Sequence, residues 1–275
     1  MKLTIQDILN LKHSRKITML TAYDYPTSAL VDKAGIDMIL VGDSLANVVL
    51  GLDSTTKVGM TEMLYHSKAV TRAVKHALVV GDMPFDSYQL DYLKAKDNAR
   101  RFIDEANCDA VKLEWFDKCL QATEEIVKAK IPVIGHIGLT PQTVDKIGGF
   151  KVQGKDAQAA ENLIKQAEQL EQLGCFALVL ECVPEQIAKI ITDKLKIPVI
   201  GIGAGVNCDG QVLVIHDLLG LCDRFKPKFV KQYVNLSAQI QKAVELYKDE
   251  VIQQKFPGKE HTFTIKEEEL KKLQS

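Results

Sequence analysis

No stretch of this chain reaches the roughly 18–20 consecutive apolar residues that a membrane span requires. The opening MKLTIQDILNLKHSRK places an acid and several polar residues in its first turns, with no apolar block behind them. Neither a secretory leader nor a membrane anchor is expected, and a cytoplasmic protein is. Cysteines are few and scattered: Cys108, Cys119, Cys175, Cys182, Cys208 and Cys222 form no CxxC pair and have no histidine at zinc-finger spacing. They read as reduced, buried thiols. Charge of one sign is also lacking. A formal net charge of −1 over 275 residues gives no global field to recruit nucleic acid or an anionic membrane. No GxGxxG follows the first strand-like run, where TAYDYPTS stands instead, and no low-complexity linker divides the chain.

What is present is alternation. Eight apolar runs recur: KITMLTAYD (16–24), DMILVGDS (37–44), ALVVGDMP (77–84), DAVKLEW (109–115), IPVIGHIGL (131–139), FALVLECVP (176–184), IPVIGIGAG (197–205) and QVLVIHDLLG (211–220). Between most of them lie amphipathic segments rich in Lys, Glu, Gln and Ala, such as TEMLYHSKAVTRAVKH and AQAAENLIKQAEQLEQLG. The seventh connection is too short for a full helix. Eight strand–helix units at this length predict an α/β fold, a closed (β/α)₈ TIM barrel forming a single domain over 1–275. An open doubly wound sheet is the competitor, and it lacks its usual glycine fingerprint. Short helical extensions are expected at both ends, the second being NLSAQIQKAVELYKDEVIQQK.

In such a barrel the functional face is the carboxyl end of the strands. Ionisable or hydrogen-bonding residues stand there repeatedly: Asp24, Asp43 with Ser44, Asp82, Lys112 with Glu114, His136, Glu181, and His216 with Asp217. Asp43, Asp82 and Glu114 end three consecutive runs. Their carboxylates repel unless a cation lies between them, and an all-oxygen set suits a hard ion such as Mg²⁺. Helix capping is the competing use of any one Asp at a strand–helix junction. Lys112 is two residues before Glu114, so the two share a face, with the lysine one layer deeper. A buried lysine there reads as a contact to a substrate anion or as a structural ion-pair partner. Glu181 comes from the opposite side of the ring and is placed to take a proton from a metal-activated substrate, with a salt bridge as the alternative. His136 remains open between a core histidine and a substrate contact. His216 reads as structural.

The segments LTAYDYPTSALVDKAGIDMILVGDSLANVVLG, VVGDMPF, VKLE, GHIGLTPQ, GGFKVQGK, LVLECVPE, PVIGIGAGVNCDGQVLVIHDLLG and FPGKEHTF resemble, in order, those of the ketopantoate (3-methyl-2-oxobutanoate) hydroxymethyltransferase family. The resemblance covers nearly the whole chain. It implies a Mg²⁺-dependent barrel that moves a hydroxymethyl group from 5,10-methylenetetrahydrofolate to 3-methyl-2-oxobutanoate through a Mg²⁺-stabilised enolate. The product would be 2-dehydropantoate, on the route to pantothenate and coenzyme A, and the assembly a homodecamer. By position it implies Asp43, Asp82 and Glu114 as metal ligands, Asp43, Ser44, Asp82 and Lys112 as keto-acid contacts, and Glu181 as the proton acceptor. Two segments depart from the family pattern. VKLEWF stands where VKLEGG is usual, and Leu52 stands at a usual histidine. Two other readings compete: a barrel lyase of the phosphoenolpyruvate mutase and isocitrate lyase kind, which typically needs a reactive cysteine on a mobile loop, and a metabolite-binding barrel without turnover.

Overall fold

The apolar runs become the staves of a closed parallel barrel, ordered β1 to β8 around the ring, in a computed structural model that describes residues 1–144, 151–221 and 227–273. The strands are β1 (Ile17–Thr21), β2 (Met38–Val41), β3 (Leu78–Asp82), β4 (Ala110–Glu114), β5 (Val133–Gly138), β6 (Ala177–Glu181), β7 (Val199–Ile202) and β8 (Gly210–Leu213). Helix α1 (Ile5–Leu11) precedes them. α2 (Tyr25–Lys33) follows β1, and α3 (Leu45–Val48) and α4 (Met60–Ala73) follow β2. α5 (Ala95–Asp104), α6 (Cys119–Lys128), α7 (Ala157–Gln172) and α8 (Glu185–Lys194) each follow the next strand in turn. No helix separates β7 from β8. After β8 come α9 (Ile215–Leu219), α10 (Leu236–Ile252) and α11 (Glu267–Leu273). None of the described helices is long and apolar enough to cross a membrane.

Two-residue periodicity divides each strand between two cores. Val79, Val111, Leu113, Val133, Leu178 and Leu180 face the helices and join the outer hydrophobic layer. Met38, Leu78, Val80, Ala110, Ile134, Ala177 and Val179 face inward and pack with Ile8 of α1, which plugs the amino-terminal end of the barrel. The plug is latched by a buried ion pair, Lys12 Nζ to Asp209 Oδ2 at 2.6 Å, and Lys12 also donates to the Thr192 carbonyl at 3.1 Å. Above these inward apolar residues, the same face continues into Asp82, Lys112, Glu114, His136 and Glu181.

Some boundaries differ from the sequence reading. The run 211–220 is strand only to Leu213, because α9 begins at Ile215; His216 and Asp217 thus lie on a helix and not on a strand tip. The amphipathic segment SYQLDYLKAKDNARRFIDEAN (87–107), which reads as one helix in the sequence, is helical chiefly from Ala95, after two single 3₁₀ turns at Phe85–Ser87 and Tyr92–Lys94. Asp24 takes the capping role: its side chain accepts from the Thr27 N–H at the start of α2. Five cysteines are free thiols, four of them buried and Cys182 half-buried. Cys222 and the GGF of GGFKVQGK lie outside the described residues.

Candidate active site

Strand register assembles the site. In the β3–β4 ladder Asp82 is opposite Lys112, in β4–β5 Glu114 is opposite His136, and in β5–β6 Gly138 is opposite Glu181. Lys112 Nζ lies 2.8 Å from Asp82 Oδ1 and 3.3 Å from His136 Nδ1. The His136 ring spans two acids, with Nδ1 3.4 Å from Glu114 Oε1 and Nε2 3.3 Å from Glu181 Oε2. Asp43 enters from the β2–α3 loop, and its backbone N–H donates to Asp82 Oδ2 at 3.1 Å. Ser44, next along, shares a 2.8 Å hydrogen bond with the Tyr23 hydroxyl at the edge of the group.

Burial and crowding set the electrostatics. The side chains of Asp82 and Glu114 are about 1% exposed and that of Lys112 4%, whereas Glu181 keeps 15%. Glu181 is thus the most exposed of these three acids. Burial pushes the Asp82 carboxyl up to about 7 despite Lys112, and Asp43 and Glu114 add to the rise. Burial also raises Glu114, against the pull of His136 and Lys112. For Lys112 burial acts downward, yet Asp82, Glu114 and Asp43 outweigh it and hold the ammonium above its ordinary value. His136 rises to about 9: burial and Lys112 oppose its charge, but contacts to Glu114 and Glu181 prevail.

Sequence reasoning missed a second group of residues. Gln142, in the 3₁₀ turn Pro141–Thr143, donates its backbone N–H to Glu114 Oε2 (2.9 Å) and its side-chain amide to Asp43 Oδ2 (2.8 Å) and the Met83 carbonyl (3.0 Å). The Tyr88 hydroxyl accepts from the Glu114 N–H (2.9 Å) and donates to Gln142 Oε1 (2.5 Å). Phe116 packs edge-on against Tyr88, with ring centroids 5.2 Å apart. The aromatic replacement after VKLE therefore buttresses this network. Trp115 lines a neighbouring cavity of about 290 Å³ with Thr140, Gln153, Asn162, Leu163 and Gln166.

Among the described residues, no three His, Cys, Asp or Glu side chains form a ready cage for a metal ion. Asp43 and Asp82 are the adjacent pair, while Glu114 is engaged by Gln142 and His136. That pair fits Mg²⁺, which commonly takes one or two protein carboxylates and fills its shell with water and substrate oxygens. Two further observations agree with the fit. Buried Asp82 Oδ1, although close to Lys112, receives no aligned hydrogen bond. Four carboxylates (Asp43, Asp82, Glu114 and Glu181) also face one ammonium and one imidazole, a deficit of positive charge that a divalent ion would make up.

Comparison with known proteins gives this geometry its context. Solved structures with the same fold include phosphoenolpyruvate phosphomutase from Streptomyces platensis subsp. rosaceus (TM-score 0.62, 16% identity, covering 92% of this chain and 88% of that one). Phosphonopyruvate hydrolase is similar at TM-score 0.62 and 11% identity, covering 98% and 94%. At such identities the likeness shows the architecture alone. Sequence relatives are far nearer. The 3-methyl-2-oxobutanoate hydroxymethyltransferase of Syntrophomonas wolfei is 55% identical over 262 residues, 95% of each chain. That of Moorella thermoacetica is 56% identical over 252 residues, 92% of this chain and 94% of its own. The family described as ketopantoate hydroxymethyltransferase matches residues 2–259, so this chain, a transferase, belongs to that family.

Proposed function

We propose that the chain transfers a hydroxymethyl group from 5,10-methylenetetrahydrofolate to 3-methyl-2-oxobutanoate, giving 2-dehydropantoate for pantothenate synthesis. The observation that supports this best is the unbroken line of contacts from Asp82 through Lys112 and His136 to Glu181 across one face of the mouth. It sets an acid-rich pocket for a chelated keto acid opposite an accessible base. Asp43 and Asp82, with Glu114 behind them, would hold Mg²⁺. When bound, the ion supplies Lewis-acid polarisation of the ketone, which acidifies the adjacent C–H.

The chain's own groups do the rest. Lys112 places a fixed positive charge beside the negative charge that develops on the substrate oxygen. Asp43 and Ser44 border the same pocket and orient the keto acid. Glu181 accepts the proton from C3, and that carbon bonds to the donor's methylene as one methylene C–N bond breaks with its electron pair left on nitrogen. Water then replaces the second nitrogen, giving the hydroxymethyl group and tetrahydrofolate, while His136 fixes the position of the Glu181 carboxylate. Cys182, immediately after Glu181, does not favour the lyase reading, because burial pushes its thiol up to about 12. The five free cysteines of the described residues agree with a cytoplasmic location, and the exposed apolar residues of α10 support self-assembly, which by family resemblance is a decamer.

The test is an exchange assay. Glu181→Gln is expected to reduce deuterium exchange at C3 of 3-methyl-2-oxobutanoate to the uncatalysed rate while metal binding stays within about twofold of wild type. A coupled assay with the folate donor should lose product on chelation and regain it with Mg²⁺. Undiminished exchange in the variant would remove Glu181 from its role.

A further inference from the structure

The geometry points to Gln142 as a positioning residue that aims Asp43 at the metal position and fixes Glu114 behind it, with Tyr88 setting which way its amide faces. This rests on the proposed metal role of those acids, and it concerns residues to which that reading gives no part.

The argument is one of direction. A backbone N–H can only donate, so the Glu114 N–H, 2.9 Å from the Tyr88 hydroxyl, occupies that oxygen as an acceptor. The hydroxyl hydrogen then points to Gln142 Oε1 at 2.5 Å, where the Gln89 amide also donates at 2.9 Å. With its oxygen committed on that side, the Gln142 NH₂ must face the other way. There it meets two acceptors, Asp43 Oδ2 at 2.8 Å and the Met83 carbonyl at 3.0 Å. An inverted amide would set its oxygen against both. The orientation is therefore fixed by the network and not by choice of rotamer. The same residue's backbone N–H holds Glu114 Oε2 at 2.9 Å. Gln142 thus ties down one oxygen of each acid, and among the described residues Asp43 Oδ1 accepts no hydrogen bond.

Gln142 and Tyr88 are both buried, Gln142 to 4% exposure. A glutamine side chain with four hydrogen bonds at that depth is costly to keep unless its partners need it. Outer partners of metal ligands typically contribute about 10–100-fold to metal affinity.

The test titrates the purified full chain with Mn²⁺, following free ion by electron paramagnetic resonance, with Mg²⁺ as competitor. Gln142→Ala and Tyr88→Phe are each expected to weaken Mn²⁺ binding about 10–100-fold. Because Tyr88 works largely through Gln142, the double variant should bind little worse than Gln142→Ala alone; two merely structural losses would add. Should Gln142→Ala fail to fold, Tyr88→Phe, which keeps the ring against Phe116, decides alone. Affinity within about twofold of wild type in Tyr88→Phe, or full additivity in the double variant, overturns the inference. Asp82→Asn separates this result from the premise: if it binds Mn²⁺ as wild type does, the metal assignment itself fails, and this inference falls with it.

Discussion

His136 is the residue whose meaning changed most between sequence and structure. Read along the chain it was ambiguous; in the barrel it bridges Glu114 and Glu181. Its value is raised from 6.5 to about 9, so folding favours its protonated form. The stability this contributes is fully present below about pH 6.5 and is lost as pH rises through about 9. Thermal melts of metal-free protein from about pH 6 to about pH 9.5 should show a decline over that window, and His136→Gln should flatten it. A wild-type melting temperature that stays level across the window would contradict the pairing. Asp43, Asp82, Lys112, Glu114 and Glu181 were legible because a charge closing an apolar run is expensive without a purpose. Gln142 and Tyr88 were not: they are uncharged, lie in or beside short turns, and meet the site only through partners dozens of residues away.

At the scale of elements, β2, β3 and β6 were plain from unbroken apolar runs, and the barrel followed from the count of strand–helix units. Periodicity failed at 211–220, where a strand passes into α9 after one residue and both keep the same apolar pattern. Connections matter as much as strands. Gly138 ends β5 with φ +94°, and a β-carbon there would collide with the Glu181 carbonyl oxygen. Gly138→Ala should lower stability by about 1–3 kcal/mol and slow C3 exchange, since the strain falls on Glu181, the proposed base; denaturant unfolding together with the exchange assay checks both. Far from the site, Asp32 at the end of α2 accepts from the N–H groups of Lys75, His76 and Ala77 and fixes the entry to β3. Asp32→Ala should cost about 1–3 kcal/mol in unfolding free energy with metal affinity unchanged. A loss of metal binding would show that β3 had shifted register.

For the molecule as a whole, α10 is the element that a lone chain leaves unexplained. It buries no residue, and Ile240, Val244, Leu246, Tyr247, Val251 and Ile252 are all exposed along it. So much apolar surface on one helix is usual where copies associate. Light scattering coupled to size exclusion should give a mass near ten times 30.6 kDa, and charged replacements at Val244 and Tyr247 should reduce it. A monomer in the unaltered protein would count against the decamer. The chain also holds a single tryptophan, and it is Trp115, the residue directly after Glu114, whose backbone N–H donates to the His136 carbonyl at 2.8 Å. Its indole is therefore a built-in optical gauge: any shift of the β4 tip when an ion or keto acid arrives would alter the emission of one fluorophore, against no background from a second, with no label attached.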